Sequence, residues 1–200
     1  MLQNLWQKCA LALGLVCAAT AAQAQPIPDL TVAQLEQQLR EGEHGDIRAL
    51  AVEQGGEILY RERFGEGAPG DRVDIKSAGK SVTALAVGAA IADGHLRSLD
   101  EKVWPYLGSR RGAPFNQITV RDLLTMSSAL DCNDWERRSP GQEERMYRRR
   151  DWREFALALP AREFERDERG FGPFSYCTAG VFLLGQVVEA AVGERFDLYV

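Results

Sequence analysis

An α+β fold is predicted for this chain by three observations. Two short apolar runs, residues 47–52 and 58–60, flank Gln54-Gly55-Gly56, the pattern of an antiparallel hairpin. From Ser77 onward the apolar residues follow helical spacing, with Gly94 and Gly193 at segment ends. A small β element followed by a run of helices is the order expected of an α+β architecture.

The elements follow in chain order. Residues 1–24 carry one charge, Lys8, then an apolar run from Cys9 to Ala22. Ala22-Gln23-Ala24 puts small residues where a signal peptidase reads, so this segment is expected to be a secretory signal. The run is shorter than the ~20 residues of a spanning helix. Val16 stands before Cys17 where a lipidated signal carries a small residue, so no stable membrane anchor is expected. Pro26-Ile27-Pro28 reads as a stiff linker. Thr31 and Gln34 form a capping-box pattern for a helix with Val32, Leu35 and Leu39 on one face. After the hairpin, Val73-Asp74-Ile75 is a short extended lead into Ser77. Residues 77–93 form an Ala-rich helix that Gly94 closes. Thr119 with Asp122 frames another start. Asp151 with Glu154 frames a third, with Trp152, Phe155 and Leu159 on its buried side. Residues 179–192 make an apolar helix stopped at Gly193. Residues 197–200 look like the first turn of a further helix, and a hairpin alone is marginal. The sequence therefore reads as cut short.

Composition narrows the function classes. The chain of 200 residues has a formal net charge of −5, which argues against a dedicated nucleic-acid binder. Arg148-Arg149-Arg150 is offset by Glu143, Glu144 and Asp151 and reads as a solvated face. Removing the signal takes Cys9 and Cys17 with it and leaves Cys132 and Cys177. In an oxidising compartment these two either pair or stay as buried thiols, and no metal-ligand spacing is present. The expected location is exported, periplasmic or secreted. No oligomeric state is assigned.

Ser77-Ala78-Gly79-Lys80 is the sharpest chemical feature. A serine hydroxyl is a weak nucleophile until a base takes its proton. Spacing of i and i+3 puts Ser77 and Lys80 on one helix face, with Ser77 near the N-terminal N–H groups that favour negative charge. The bland alternative is Ser77 as a cap and Lys80 as a solvated side chain. The two histidines, His44 and His95, lie in a polar linker and a turn, so a Ser-His-Asp triad within this chain is not expected. Tyr176-Cys177-Thr178 opens the last full helix. A tyrosine beside an ammonium can ionise more easily, so that its phenolate accepts a proton; the alternative is a half-buried capping tyrosine.

Three segments in order resemble the serine β-lactamase superfamily, its class C-like and penicillin-binding-protein-like branch of esterases and amidases. They are Ser77-Ala78-Gly79-Lys80-Ser81-Val82-Thr83, residues 118–130 (Ile118 to Leu130), and residues 174–185 (Phe174 to Gly185). Leu99-Asp100-Glu101-Lys102-Val103 fits the stretch after the nucleophile helix. The resemblance implies a class C β-lactamase-like fold, an antiparallel sheet with a helical domain, of which residues 25–200 are the N-terminal part with the C-terminal strands missing. It implies an acyl-enzyme serine hydrolase acting on the ester, amide or β-lactam carbonyl of a small-molecule or peptide substrate, with no cofactor and no metal. Ser77 resembles the nucleophile, Lys80 the residue sharing its proton, and Tyr176 the activating base. Thr178 stands where an Asn often contacts substrate and lysine, a departure that tilts the reading away from β-lactams. Cys132 and Cys177 sit in segments bordering the cleft of such a fold, which implies a disulfide bracing the tyrosine loop. The family's Lys/His-Ser/Thr-Gly motif has no match up to Val200. If the polypeptide ends there, weak or no activity is expected. The rivals are a non-catalytic binding protein or inactive remnant of the same family, and a plain helical interaction domain.

Overall fold

The structure is a computed structural model and describes residues 29–64, 72–108, 112 and 114–200. The expected signal, residues 1–24, and the Pro26-Ile27-Pro28 linker lie outside the described residues. The chain divides into two units, Met1–Arg72 and Val73–Val200.

In the first unit, helix α1 (Asp29–Arg40) starts two residues before the expected Thr31. Strands β1 (Ala49–Gln54) and β2 (Glu57–Arg63) pair antiparallel. Gly55 and Gly56 both take positive φ, +62° and +84°, as the tight two-residue turn of a twisted hairpin demands. Both strands extend past the apolar runs that marked them, since backbone pairing continues through Glu53, Arg61 and Glu62. The register shifts between Val52 and Glu53, which face Tyr60 and Ile58 and leave Leu59 as the bulged residue. The Tyr60 hydroxyl donates to Glu36 of α1 at 3.0 Å. The Arg40 guanidinium lies 5.3 Å from the centre of the Phe64 ring.

The second unit holds α2 (Gly79–Ala92), α3 (Trp104–Leu107), α4 (Val120–Leu124), α5 (Glu143–Tyr147), α6 (Trp152–Leu157), α7 (Thr178–Val192) and α8 (Phe196–Tyr199). Helix α7 is the hub, touched by each of the other six. Its sequence explains this. Ala179, Gly180, Val181, Leu183, Leu184, Val187 and Val188 are all buried, a set too broad for one stripe, as in a helix surrounded by protein. The helix ends at Gly193, whose φ of +78° supplies the left-handed stop. Val87, Ala90, Leu96, Val103, Leu107, Ile118, Val120 and Leu123 extend the core from the neighbouring segments.

Polar groups fix the helix ends. Thr119 and Asp122 form a complete capping box on α4. Asp122 is also buried and takes two hydrogen bonds from Arg166, at 2.7 and 3.0 Å. Asp151 caps α6 by accepting the Glu154 N–H at 2.8 Å. Of the three side chains expected on its buried side, Leu159 is buried and Phe155 packs half-buried against the core, but Trp152 is 40% exposed, and Ala156 takes a core place. The helix has only six residues, and its first one leans on the rings of Tyr147 and Phe182. Among the described residues no helix is long and apolar enough to cross a membrane.

Candidate active site

Ser77 sits in a 3₁₀ turn, Lys76–Ala78, that runs directly into α2. The residue before it, Lys76, has a φ of +50°, a left-handed conformation that L side chains adopt at a cost. Asp74 holds it there. Its carboxylate accepts the Lys76 N–H at 2.8 Å and pairs with Lys76 Nζ at 2.6 Å. These hydrogen bonds lower the Asp74 pKa, and the same carboxylate raises that of Lys76. Strain kept next to an exposed hydroxyl is a mark of functional positions.

Lys80, one turn further on, donates from Nζ to Ser77 Oγ at 2.9 Å. Its Nζ also lies 5.1 Å from the centre of the Tyr176 ring, within cation–π range. Trp135 stacks on the same tyrosine, 5.2 Å between centres and 8° between planes. The structure thus brings Ser77, Lys80 and Tyr176 together. It sets Lys80 against the tyrosine's ring, and the Tyr176 hydroxyl has no hydrogen-bond partner among the described residues.

The tyrosine segment is tied to residues 132–135 almost residue by residue. Cys132 and Cys177 form a disulfide of 2.07 Å, with Cα atoms 5.4 Å apart. The Ser175 hydroxyl donates to the Cys132 carbonyl at 2.6 Å. The Asp134 N–H donates to the Tyr176 carbonyl at 2.8 Å. The Thr178 N–H donates to Asp134 Oδ2 at 2.8 Å. Gly141 completes the clamp, since a Cβ there would stand 2.7 Å from Cys132 Cβ.

Thr178 does not turn to Lys80. Its Oγ1 lies 2.7 Å from Asp134 Oδ2 and 3.1 Å from Glu143 Oε2. Burial raises the Asp134 pKa and the Glu143 charge adds to it, against the Thr178 hydrogen bonds and the Lys80 charge, which lower it. Tyr147 donates to Glu143 Oε2 at 3.2 Å, and its phenol is pushed up to about 12 by partial burial and the Glu143 charge. A cleft of about 1020 Å³ opens over these groups, lined among others by Ser77, Lys80, Glu143, Tyr147, Trp152 and Thr178. Among the described residues no group of His, Cys, Asp and Glu could hold a metal ion.

Sequence reasoning missed Asp134, Trp135 and Glu143. For the first two a signal existed: they follow Cys132 by two and three positions, so a Cys132–Cys177 link carries them to the tyrosine. Glu143 had none. It approaches Thr178 across 35 positions, from an acidic, arginine-rich surface stretch.

Comparison with known proteins shows the family. The sequence model of the Beta-lactamase family matches residues 32–200. A 6-aminohexanoate-dimer hydrolase of Paenarthrobacter ureafaciens is 31% identical over 184 residues, covering 88% of this chain and 44% of that protein. A penicillin binding protein from Bacillus halodurans superposes with a TM-score of 0.57 at 24% identity, over 82% of this chain and 52% of that one. A class C beta lactamase from Rhodobacter sphaeroides gives 0.50 at 23% identity, over 82% and 44%. The chain thus spans about half the length of the relatives it matches. It belongs to the beta-lactamase family, with the α+β fold of that family's penicillin-binding and class C members.

Proposed function

We propose that this chain carries the nucleophile half of a serine hydrolase that works through an acyl-enzyme. Ser77 Oγ attacks a carbonyl while its proton passes to the phenolate form of Tyr176; the C–O bond to the enzyme forms, and the bond from the carbonyl carbon to the leaving group breaks as the Tyr176 phenol hands that group its proton. Water then reverses the sequence and releases the acid. The observation that carries this reading is the 2.9 Å contact between Lys80 Nζ and the exposed Ser77 hydroxyl at the mouth of the cleft. In that contact Lys80 is the donor, so its role is to stabilise the forming alkoxide and to hold Tyr176 as the proton acceptor.

The substrate proposed is an ester or a linear amide. The 6-aminohexanoate-dimer hydrolase supports this choice. So does Thr178, whose single hydroxyl is turned to carboxylates, where an amide side chain would offer two-sided pairing. Export is proposed with it, since a disulfide persists in an oxidising compartment.

Intact mass spectrometry after treatment with a fluorophosphonate, with Ser77→Ala as control, tests the reading. One adduct on the wild-type chain and none on the variant is expected. An unlabelled wild-type chain that is folded would favour the non-catalytic alternative.

A further inference from the structure

Around Thr178 the hydroxyl's own proton is not enough. Its Oγ1 makes two short oxygen contacts, 2.7 Å to Asp134 Oδ2 and 3.1 Å to Glu143 Oε2. The first is an ordinary O–H···O distance and the second lies at the long edge of the range, close enough that two facing oxygens are attracted only with a proton between them. The hydroxyl supplies one, and an ionised carboxylate supplies none. With both carboxylates ionised, one contact would set lone pairs against lone pairs.

The neighbours are already committed. The Thr178 N–H and Tyr147 hydroxyl protons point at Asp134 Oδ2 and Glu143 Oε2 themselves. From α2, the Lys80 ammonium reaches Ser77 Oγ. From the turn before it, Lys76 reaches Asp74. The missing proton must sit on a carboxyl.

We infer that Asp134 and Glu143 hold one proton between them through the Thr178 hydroxyl, and that this pair positions the Tyr176 loop. A second observation points the same way: Asp134 Oδ1 is buried with no partner among the described residues, a placement that costs a neutral carboxyl far less than a charged one. The direction of the Asp134 shift, upward through burial and the Glu143 charge, agrees.

With the proton in place, the chain Glu143–Thr178–Asp134 is continuous, and Asp134 fixes Tyr176 through the 2.8 Å bond from its N–H. When the proton leaves, one contact opens and a second negative charge faces the cleft that Ser77 lines. Acylation of Ser77 then gains a descending limb at rising pH. That consequence rests on the serine-hydrolase reading, whereas the shared proton does not.

Carboxyl ¹³C NMR of the full chain labelled on Asp and Glu tests the pair directly. The wild type should show two coupled steps, the upper lying above the ordinary carboxylate range. Thr178→Val should abolish the upper step. Glu143→Gln, whose amide N–H can stand in for the carboxyl proton, should leave Asp134 a single step and remove the descending limb from acylation by an ester probe. Ordinary titration of every carboxyl in the wild type would overturn the inference, as would an upper step that survives Thr178→Val. If that variant fails to fold, the wild-type titration decides. Because the NMR signal needs no turnover, a chain that takes no acyl group at Ser77 would overturn the hydrolase reading alone.

Discussion

Removing the Cys132–Cys177 link by a double Cys→Ala substitution is expected to cost the chain about 4 kcal/mol. The figure follows from the loop the disulfide closes in the unfolded chain. Its sequence separation is 45, and the chain-entropy relation for a loop of that length gives roughly 13 cal/mol/K, or about 4 kcal/mol at 25 °C. The native side of the balance changes little, because the two segments stay tied by the Ser175 hydroxyl on Cys132, the Asp134 N–H on Tyr176 and the Thr178 N–H on Asp134. Urea unfolding of the double variant against the oxidised wild type measures the difference, and reduced wild type should shift by the same amount. A loss below about 1 kcal/mol would refute the reasoning and show that the hydrogen-bonded strap holds without the sulfurs. Two free thiols on non-reduced protein would refute it earlier.

Four further outcomes are expected. Lys80→Ala should slow acylation of Ser77 by about 10²–10⁴-fold while leaving the melting temperature near that of the wild type, read by probe labelling beside calorimetry. Lys76→Gly should stabilise by up to about 1 kcal/mol by relieving a left-handed residue, and Lys76→Val should do the opposite, both read by thermal melts. Because Asp74 is held below its ordinary pKa by Lys76, its contribution is present above the unfolded value and lost as pH falls through the folded one. Asp74→Asn should therefore flatten the acid side of the stability curve. Arg166→Ala should cost about 1.5–3 kcal/mol in chemical denaturation, since it strips the buried Asp122 carboxylate of two charged hydrogen bonds from a half-exposed guanidinium.

How much of this was legible in the sequence depended on whether the signal was local. The hairpin was, because Gly55-Gly56 between apolar runs leaves the backbone few other choices, and Thr119 with Asp122 announced α4 by the same kind of short-range chemistry. The Ser77–Lys80 contact was legible for the same reason, being one helical turn long. Trp152 shows where local reading stops: its helical phase suggested burial, but a six-residue helix does not force its first side chain inward, and the neighbouring rings offered a place at the cleft. Glu143 shows the limit more sharply. In the sequence it is one charge among many, and only the fold brings it to a hydroxyl that already serves Asp134. A hydrophobic pattern can say which residues leave water, whereas the number of protons available to a polar cluster is settled only when distant segments meet. Departures from a family pattern are therefore best read in three dimensions. Thr178 looks in the sequence like a lost amide, and in the fold it is the bridge between two acids.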